Sequence, residues 1–315
     1  MSRVSSMTDL ENPLTSLTHE QRLYYAVVAS LHGWGDPERA WNPHPGQALV
    51  GQALFVDGAK KIFVQCGRKW GKTEIIVYCL WRYALLNSNV SCYYICPEAK
   101  HAREIVWESV DRRGRKRIQG FGPAEFIEHI DNQNLRITFK NGSFIKVDGS
   151  DNVDAWAGIS PHFLVLDEFR SFRPEFLPVM NPNRATFDAP MIVIGTPPEQ
   201  LWLDRETPHH YVELAKETRE EMGEGMPSFW IHRPSWDNPD PIIQAFLKTE
   251  KATLLRKGRE YEWLREYGAE LVPGSARKVF PSFCPDVSKP KSHMVSELTV
   301  AKIIRGEGGY GITRS

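Results

Sequence analysis

Short, mainly apolar segments recur along the chain and are separated by turn residues or by helical stripes. Apolar runs of this length are typical of strands that are buried on both faces of a parallel sheet. They lie at residues 61–64, 90–95, 163–166 and 191–194. Two further segments, 135–139 and 144–147, alternate apolar and polar residues on either side of Asn141-Gly142, a pair that predicts a hairpin.

Helical periodicity lies between these segments. A capping box at Thr18–Gln21 begins a helix whose apolar stripe runs to Leu31. Further helices are predicted at residues 48–55, 74–86, 98–119 and 241–268. Strands that alternate with helices predict an α/β fold, in which helices flank a mostly parallel sheet and ligands bind at the carboxyl ends of the strands.

Composition adds few constraints. The chain has 315 residues, 41% hydrophobic and 25% charged, as expected for one large globular domain or two smaller ones. Lys and Arg together number 39, and so do Asp and Glu, so any basic surface for nucleic acid must be local. The cluster at 112–117 is a candidate, which either contacts phosphates or is a solvated helix end. No apolar run reaches the ~20 residues of a membrane span, and the N-terminus lacks an apolar signal core, which predicts a cytoplasmic protein.

The five cysteines are odd in number and follow no regular spacing, as is typical of a reducing compartment. Cys92 and Cys96 fall on one face of a predicted strand, and the sequence offers no second Cys or His pair nearby. Buried apolar positions are therefore favoured over a metal site.

The segment from Val64 to Thr73 joins a predicted strand to a predicted helix through a glycine-containing loop. In a phosphate-binding loop, backbone N–H groups close around an anion, a Lys reaches the β- and γ-phosphates, and a Thr hydroxyl ligates magnesium. Lys72 and Thr73 take these last two roles, although Cys66 replaces the first glycine of the strict pattern. An ordinary strand-turn-helix is the alternative. The predicted nucleotide-binding residues here are Gly67, Arg68, Lys69, Trp70, Gly71, Lys72 and Thr73.

Two acids, Asp167 and Glu168, end the apolar run at 163–166. They would lie at the carboxyl end of a buried parallel strand, where open α/β sheets bind ligands. Asp167 is predicted to hold the magnesium shell, and Glu168 to polarise the attacking water. The alternative, a strand end with two solvated acids, is disfavoured because a phosphate loop precedes it.

Two more side chains complete the predicted site. Thr196 follows the strand at 191–194, where a polar side chain can sense the γ-phosphate and pass its loss onward. Gln47 precedes the loop, where its amide can read the adenine edge. Gln52 is the reserve for this role, and a surface glutamine is the alternative.

The order of these motifs resembles the ATPase half of large terminase subunits, the DNA-packaging motors of tailed bacteriophages. Residues 67–73 are similar to the family's Gly-Arg-Arg-Trp-Gly-Lys-Thr loop, and the acidic strand and Gly195-Thr196-Pro197 follow in family order. Later landmarks lie at 237–239, 266–268 and 278–283. The resemblance covers about residues 20–283.

The resemblance implies an ASCE-type P-loop sheet that hydrolyses ATP to ADP and phosphate, with Mg²⁺ held by Thr73 and Asp167. Arg68 becomes a candidate for stabilising transition-state charge in cis, with a structural pairing at the loop as the alternative. The implied partners are double-stranded DNA, a small terminase subunit, a portal protein and further copies of the chain in a homo-oligomeric ring, without a membrane.

Two features depart from the family. Ala157-Gly158 stands where the family often has Arg-Gly, which puts an Arg-dependent role there in doubt. A full terminase also continues into a nuclease that needs clustered carboxylates, whereas residues 284–315 hold only three acids, Asp286, Glu297 and Glu307. The chain is thus expected to be a piece of a longer protein or an ATPase whose nuclease lies elsewhere, and no DNA cleavage is expected from it.

The expected organisation is a loose tail (1–17), a P-loop ATPase domain (18–270) and a linker with an incomplete start of a C-terminal domain (271–315). Another DNA-dependent ATPase, such as a helicase or a defence-system motor, shares the loop and the acidic strand. However, 315 residues cannot hold two helicase lobes and the N-terminal extension. A docking protein with a decayed site is disfavoured because Lys72, Thr73, Asp167 and Glu168 are intact.

Overall fold

The computed structural model describes residues 43–111, 114–122, 124–201 and 208–272. Its strands are β1 (Lys61–Cys66), β2 (Ser91–Cys96), β3 (Ile127–Asp131), β4 (Arg136–Phe139), β5 (Phe144–Gly149), β6 (Phe163–Asp167), β7 (Met191–Gly195) and β8 (Ser228–Arg233). Its α-helices are α1 (Pro45–Phe55), α2 (Lys72–Leu86), α3 (Ala99–His101), α4 (Phe176–Ala185), α5 (His210–Gly223), α6 (Pro241–Arg256) and α7 (Glu260–Glu266). The predicted α/β fold is confirmed.

The strands form one sheet in the order β3-β4-β5-β2-β6-β7-β1-β8. All neighbouring pairs from β5 to β8 are parallel, whereas β3 and β4 extend one edge in antiparallel fashion. β7 lies between β1, which leads into the phosphate loop, and β6, which carries the acids. The carboxyl ends of these three strands therefore meet at one edge of the sheet.

The central strands are buried on both faces, which explains their continuous apolar runs. Since alternate residues of a strand point to opposite faces, each run supplies two cores. On one face, Ile62 and Val64 pack with buried residues of α1 and α2, and Cys92 and Cys96 belong to this core. On the other face, Phe63 packs with buried residues of α4 and α5. These two layers fix the edge at which the site lies.

The predicted hairpin is confirmed by the antiparallel pairing of β4 with β5. Gly142 has a φ of 81°, which suits glycine in the turn, and the side chain of Asn141 donates to the carbonyl of Ala84 at 2.8 Å. Both strands alternate between buried and partly exposed residues, so one face of the hairpin extends the core and the other faces outward.

The prediction of one helix over 98–119 is wrong beyond its first turns. α3 continues as a π-helix, Ala102–Trp107, and regular helix ends there. A turn follows because the carboxylate of Asp111 accepts from the backbone N–H of Arg115 and pairs with the Arg115 side chain, while Gly114 has a φ of 76°. Arg117 pairs with Glu74 of α2. The described part of the basic cluster is thus not a helix end, and its contact with phosphates stays a prediction.

The single helix predicted at 241–268 is two helices. α6 begins at a cap, where the Asp240 carboxylate accepts from the N–H of Ile242 at 2.9 Å, and the chain turns at Gly258, which has a φ of 66°. α6 and α7 then pack through a small core of their own, formed by Leu247, Leu254, Trp263 and Tyr267. The end of α7 meets the phosphate loop, where the carbonyl of Glu266 accepts from the N–H of Arg68 at 2.7 Å.

Within the described ranges, the structure has no helix with the length and apolarity of a membrane span. The capped helix predicted at 18–31 and the segment from 273 onward lie outside these ranges. The predicted domain boundaries and the predicted lack of a nuclease centre therefore stay predictions.

Candidate active site

The phosphate loop occupies residues 67–71, between β1 and α2. Gly67 is required by close packing, since a Cβ there would collide with the hydroxyl of Ser235 and the carbonyl of Tyr267. Gly71 is required by its backbone, which has a φ of 107°, and by the amide of Gln47 beside it. Cys66, in contrast, is the fully buried last residue of β1, so this loop does not need the first glycine of the strict pattern.

The start of α2 offers unpaired backbone donors. Within the described residues, the N–H groups of Gly71, Lys72 and Thr73 donate to no backbone acceptor. Free N–H groups at a helix N-terminus, together with the positive end of the helix dipole, form an anion-binding site. The predicted loop residues are therefore brought together in a geometry that fits a phosphate group.

Lys72 contacts Glu168 across the end of β7. Its Nζ lies 2.9 Å from Glu168 Oε1, and its side chain is 12% exposed. Burial has the largest single influence and would lower the pKa of Lys72, but the surrounding negative charges, that of Glu168 first, and the hydrogen bond to Glu168 together raise it. Burial would likewise raise the pKa of Glu168, but Lys72 and then Arg170 lower it. Both groups are therefore charged at neutral pH, and the phosphate loop and the acidic strand are joined by an ion pair.

Asp167 is held in place on both oxygens. Its Oδ2 accepts from the hydroxyl of Tyr94 at 2.5 Å, and its Oδ1 accepts from the N–H of Glu168 at 2.9 Å. Burial, followed by the charge of Glu168, raises the pKa of Asp167 to about 6. The described residues contain no cluster of three or more His, Cys, Asp or Glu side chains suited to a metal. Thr73 and Asp167, the two predicted protein oxygen donors, would leave a Mg²⁺ ion its usual water and phosphate ligands, and this role stays a prediction.

Thr196 lies just after β7, between the phosphate loop and the acids. Its side chain is fully buried, and its hydroxyl has no hydrogen-bond partner among the described residues. A buried hydroxyl without a partner is costly, which points to a partner that binds at this position. The neighbouring Gly195 is close-packed, since a Cβ there would lie 3.3 Å from the Cα of Glu168.

Glu266, at the end of α7, was not predicted from the sequence. Its carboxylate lies 2.5 Å from Arg68 Nε and 3.1 Å from Arg170 Nη1. Arg170 also donates to the carbonyl of Pro197 at 3.0 Å and lies 3.6 Å from Glu168. Burial would raise the pKa of Glu266, but Arg170 and then Arg68 hold it below its usual value. The position of Glu266 in a family landmark was its only sequence signal.

Gln47 is buried beneath the loop rather than exposed. Its Nε2 donates to the carbonyl of Gly71 at 2.8 Å, and its Oε1 accepts from the N–H of His44 at 3.1 Å. Gln52, the reserve for reading adenine, is exposed on α1. The adenine role of either glutamine stays a prediction.

The sequence of this chain matches no family model, whereas its structure matches solved proteins. No protein-family model matches the sequence, and no curated protein is similar to it. The ATPase domain of the large terminase of Thermus phage P74-26, however, matches with a TM-score of 0.52 and 18% identity, over 74% of this chain and 95% of that chain. The fold is that of a large terminase ATPase domain.

Two longer terminases also share this fold. The large terminase of bacteriophage HK97 has a TM-score of 0.56 and 15% identity, over 80% of this chain and 55% of that chain. The large terminase of a thermophilic bacteriophage, solved in complex with ATP-γ-S, has a TM-score of 0.50 and 15% identity, over 73% of this chain and 53% of that chain. The chain thus spans about half the length of these two terminases, and the predicted fold class, a mostly parallel sheet flanked by helices, is confirmed.

Proposed function

We propose that this chain is the ATP-hydrolysing motor subunit of a phage terminase, which drives double-stranded DNA into a capsid. The observation that carries the proposal is the contact of Lys72 with Glu168 across β7, within the terminase ATPase fold. It brings together the two residue types that phosphoryl transfer to water requires, a cation for the phosphates and a carboxylate for the water.

Hydrolysis then depends on positioning and charge rather than on covalent chemistry. The N–H groups at the start of α2 bind the β- and γ-phosphates, and Lys72 exchanges Glu168 for the γ-phosphate. Glu168, released from Lys72, orients the attacking water. Arg68 belongs to the loop, and its side chain, which is about half exposed, stabilises charge on the transferred group.

The metal role falls to Thr73 and Asp167. When bound, Mg²⁺ neutralises the charge that develops on the phosphate oxygens. Tyr94 and the N–H of Glu168 fix the orientation of the Asp167 carboxylate, and a ligand oriented in this way binds its metal more tightly. Thr196, with its unpartnered hydroxyl, senses the γ-phosphate and passes its loss to the segment that follows β7.

The wider role is supported by the shared fold alone. In this role the chain acts in the host cytoplasm as a homo-oligomeric ring on double-stranded DNA. Its partners are a small terminase subunit and a portal protein.

The test is Mg²⁺-dependent ATP hydrolysis by the purified chain, with and without double-stranded DNA. Lys72→Ala removes the cation that binds the phosphates and should lower turnover by at least ~10²-fold. Lys146→Ala is the matched control, because Lys146 forms a similar pair with Asp148, at 2.7 Å, on β5. Parental turnover in Lys72→Ala would overturn the assignment of the loop. Hydrolysis without DNA packaging, when portal-bearing capsids are supplied, would instead favour another DNA-dependent ATPase.

A further inference from the structure

Four of the five carbonyl groups of the phosphate loop are held from outside the loop, while that of Gly67 accepts from the N–H of Trp70 within it. Each of the four consecutive carbonyls from Arg68 to Gly71 accepts a hydrogen bond from a side chain of another segment. The pairs are Ser235 Oγ to Arg68 (2.5 Å), Asn238 Nδ2 to Lys69 (2.7 Å), His44 Nε2 to Trp70 (2.9 Å) and Gln47 Nε2 to Gly71 (2.8 Å). We call these four donors the carbonyl clamp.

The clamp is assembled from two distant parts of the chain. His44 and Gln47 stand at the start of α1, before the loop. Ser235 and Asn238 belong to the turn between β8 and α6, more than 160 residues after it. Because a carbonyl oxygen only accepts, the proton of His44 must be on Nε2. Four side chains from two segments thus each donate a hydrogen bond to one short loop.

The direction of a carbonyl decides what a loop can bind. A phosphate group is attracted by N–H groups and repelled by carbonyl oxygens, so an anion-binding loop must turn its carbonyls away from the ligand. A loop without such contacts would need to order itself when the ligand arrives, which weakens binding. In this chain the carbonyls from Arg68 to Gly71 are already engaged, while the N–H groups of Gly71, Lys72 and Thr73 donate to no described backbone acceptor.

We propose that His44, Gln47, Ser235 and Asn238 are positioning residues, which hold the loop in its anion-binding shape before the nucleotide arrives. The proposal rests on the proposed function, since it takes the ligand of the loop to be a nucleoside di- or triphosphate. It also gives Gln47 a role that does not involve the adenine base.

Asn238 and Gln47 allow the donor to be removed without a change of size. Asn238 Oδ1 accepts from the N–H of Asp240 at 3.0 Å, and Asn238→Asp keeps this acceptor while it loses the donor to Lys69. Gln47→Glu likewise keeps the acceptor for His44 and loses the donor to Gly71. Asn238→Ala removes the same donor without adding a charge.

The matched control is Asn183→Asp. Asn183 of α4 also donates through Nδ2 to a backbone carbonyl, that of Trp156, at 2.9 Å, but it takes no part in the loop. It reports the cost of losing one such contact and gaining one negative charge elsewhere on the protein.

The readout is the dissociation constant of Mg²⁺-ADP and Mg²⁺-GDP, measured by calorimetry on the full chain, with the thermal midpoint in the absence of nucleotide. Three clamp variants should raise the dissociation constants of ADP and GDP by the same factor, at least ~10-fold. They are Asn238→Asp, Asn238→Ala and Gln47→Glu. The affinity of Asn183→Asp should stay within about twofold of the parent, and the midpoints of the Asn183 and Asn238 variants should lie within about 3 °C of it. Gln47→Glu places a carboxylate at a buried position, so its midpoint should be lower.

The contrary outcomes are distinct. If the parent binds nucleotide and the clamp variants bind it equally well, the positioning role of the clamp is wrong and the proposed function stands. If only the variants that add a charge lose affinity, repulsion explains the result and the clamp is again wrong. A Gln47→Glu variant that loses ADP but keeps GDP would assign Gln47 to the adenine. A parent that binds neither nucleotide would overturn the proposed function together with the clamp.

Discussion

Glu168 lies between two charged networks that the chain builds in different ways. The inner network consists of Lys72, Asp167 and Glu168, at the carboxyl ends of β1 and β6. Its members follow directly from two buried strands and from the loop that opens α2. Once the sheet forms with β7 between these strands, the side chains can only meet at that edge.

The outer network consists of Glu266 with Arg68, Arg170 and Arg265, and it touches Glu168 through Arg170. Its centre is carried by α7, which packs on α6. The end of α7 is held at the loop by the carbonyl of Glu266, which accepts from the N–H of Arg68 at 2.7 Å. No strand register or local motif fixes it. The comparison shows that Lys72, Asp167 and Glu168 are positioned by secondary structure, whereas Glu266 and the arginine side chains that it holds depend on tertiary packing.

The largest effect on turnover is expected from the inner network. Glu168→Gln keeps the size of the side chain but removes the charge that orients water, so turnover should fall by at least ~10²-fold while nucleotide binding is retained. Steady-state hydrolysis and equilibrium binding of ATP-γ-S would measure the two effects separately. Near-parental turnover would move the water-orienting role to another acid.

A smaller effect is expected from the outer network. Glu266→Gln leaves Arg68 and Arg170 without their buried counter-charge, so the free energy of unfolding should fall by about 3 kcal/mol and turnover by about tenfold. Because the pKa of Glu266 is held below its usual value, its stabilising contribution is present above pH 4.5 and is lost as the pH falls further. The difference between parent and variant in urea unfolding should therefore shrink in acid.

The control for this prediction is Glu217→Gln, which breaks the pair of an exposed carboxylate with Lys61, while Lys61 keeps Glu221 as its second partner. Exposed pairs contribute about 1 kcal/mol or less, so this variant should keep both stability and turnover. If Glu266→Gln behaves like the control, the outer network does not hold the site, and the contrast between the two networks is lost.

The smallest effect on turnover is expected at Thr196, between the networks. Thr196→Val removes a buried hydroxyl that has no described partner, so the free energy of unfolding without nucleotide should rise by about 1 kcal/mol. Turnover should fall by a few-fold, because the hydroxyl is proposed to contact the γ-phosphate. Thr218→Val is the matched control: its buried hydroxyl donates to the carbonyl of Leu214 at 2.7 Å, so its loss should not stabilise the protein. Parental turnover in Thr196→Val would contradict the proposal that Thr196 senses the γ-phosphate.

The sequence predicted the regions whose structure is dictated locally. The strands β1, β2, β6 and β7, the β4–β5 hairpin and the helix after the loop follow from apolar runs, an Asn-Gly turn and helical periodicity. The inner network followed from the residues at the ends of these elements, although their roles stay proposals.

The elements that were missed have weak local signals or depend on distant packing. β3 is an edge strand with no fully buried residue, and α4 contains Pro182, which argues against a helix. α5 has an apolar stripe at Tyr211, Leu214 and Ala215 that periodicity could have detected. The donors of the carbonyl clamp are ordinary polar residues, and only their contacts with the loop distinguish them.

The ion pair between Lys72 and Glu168 links the arrival of substrate to the availability of the carboxylate. In the structure Glu168 is held by Lys72, at 2.9 Å, and so is not free to orient a water molecule. Under the proposed function, a triphosphate that takes Lys72 releases Glu168 in the same exchange of partners. Lys72 thus couples the two events, because Glu168 becomes available to orient water only when a γ-phosphate is present for the water to attack.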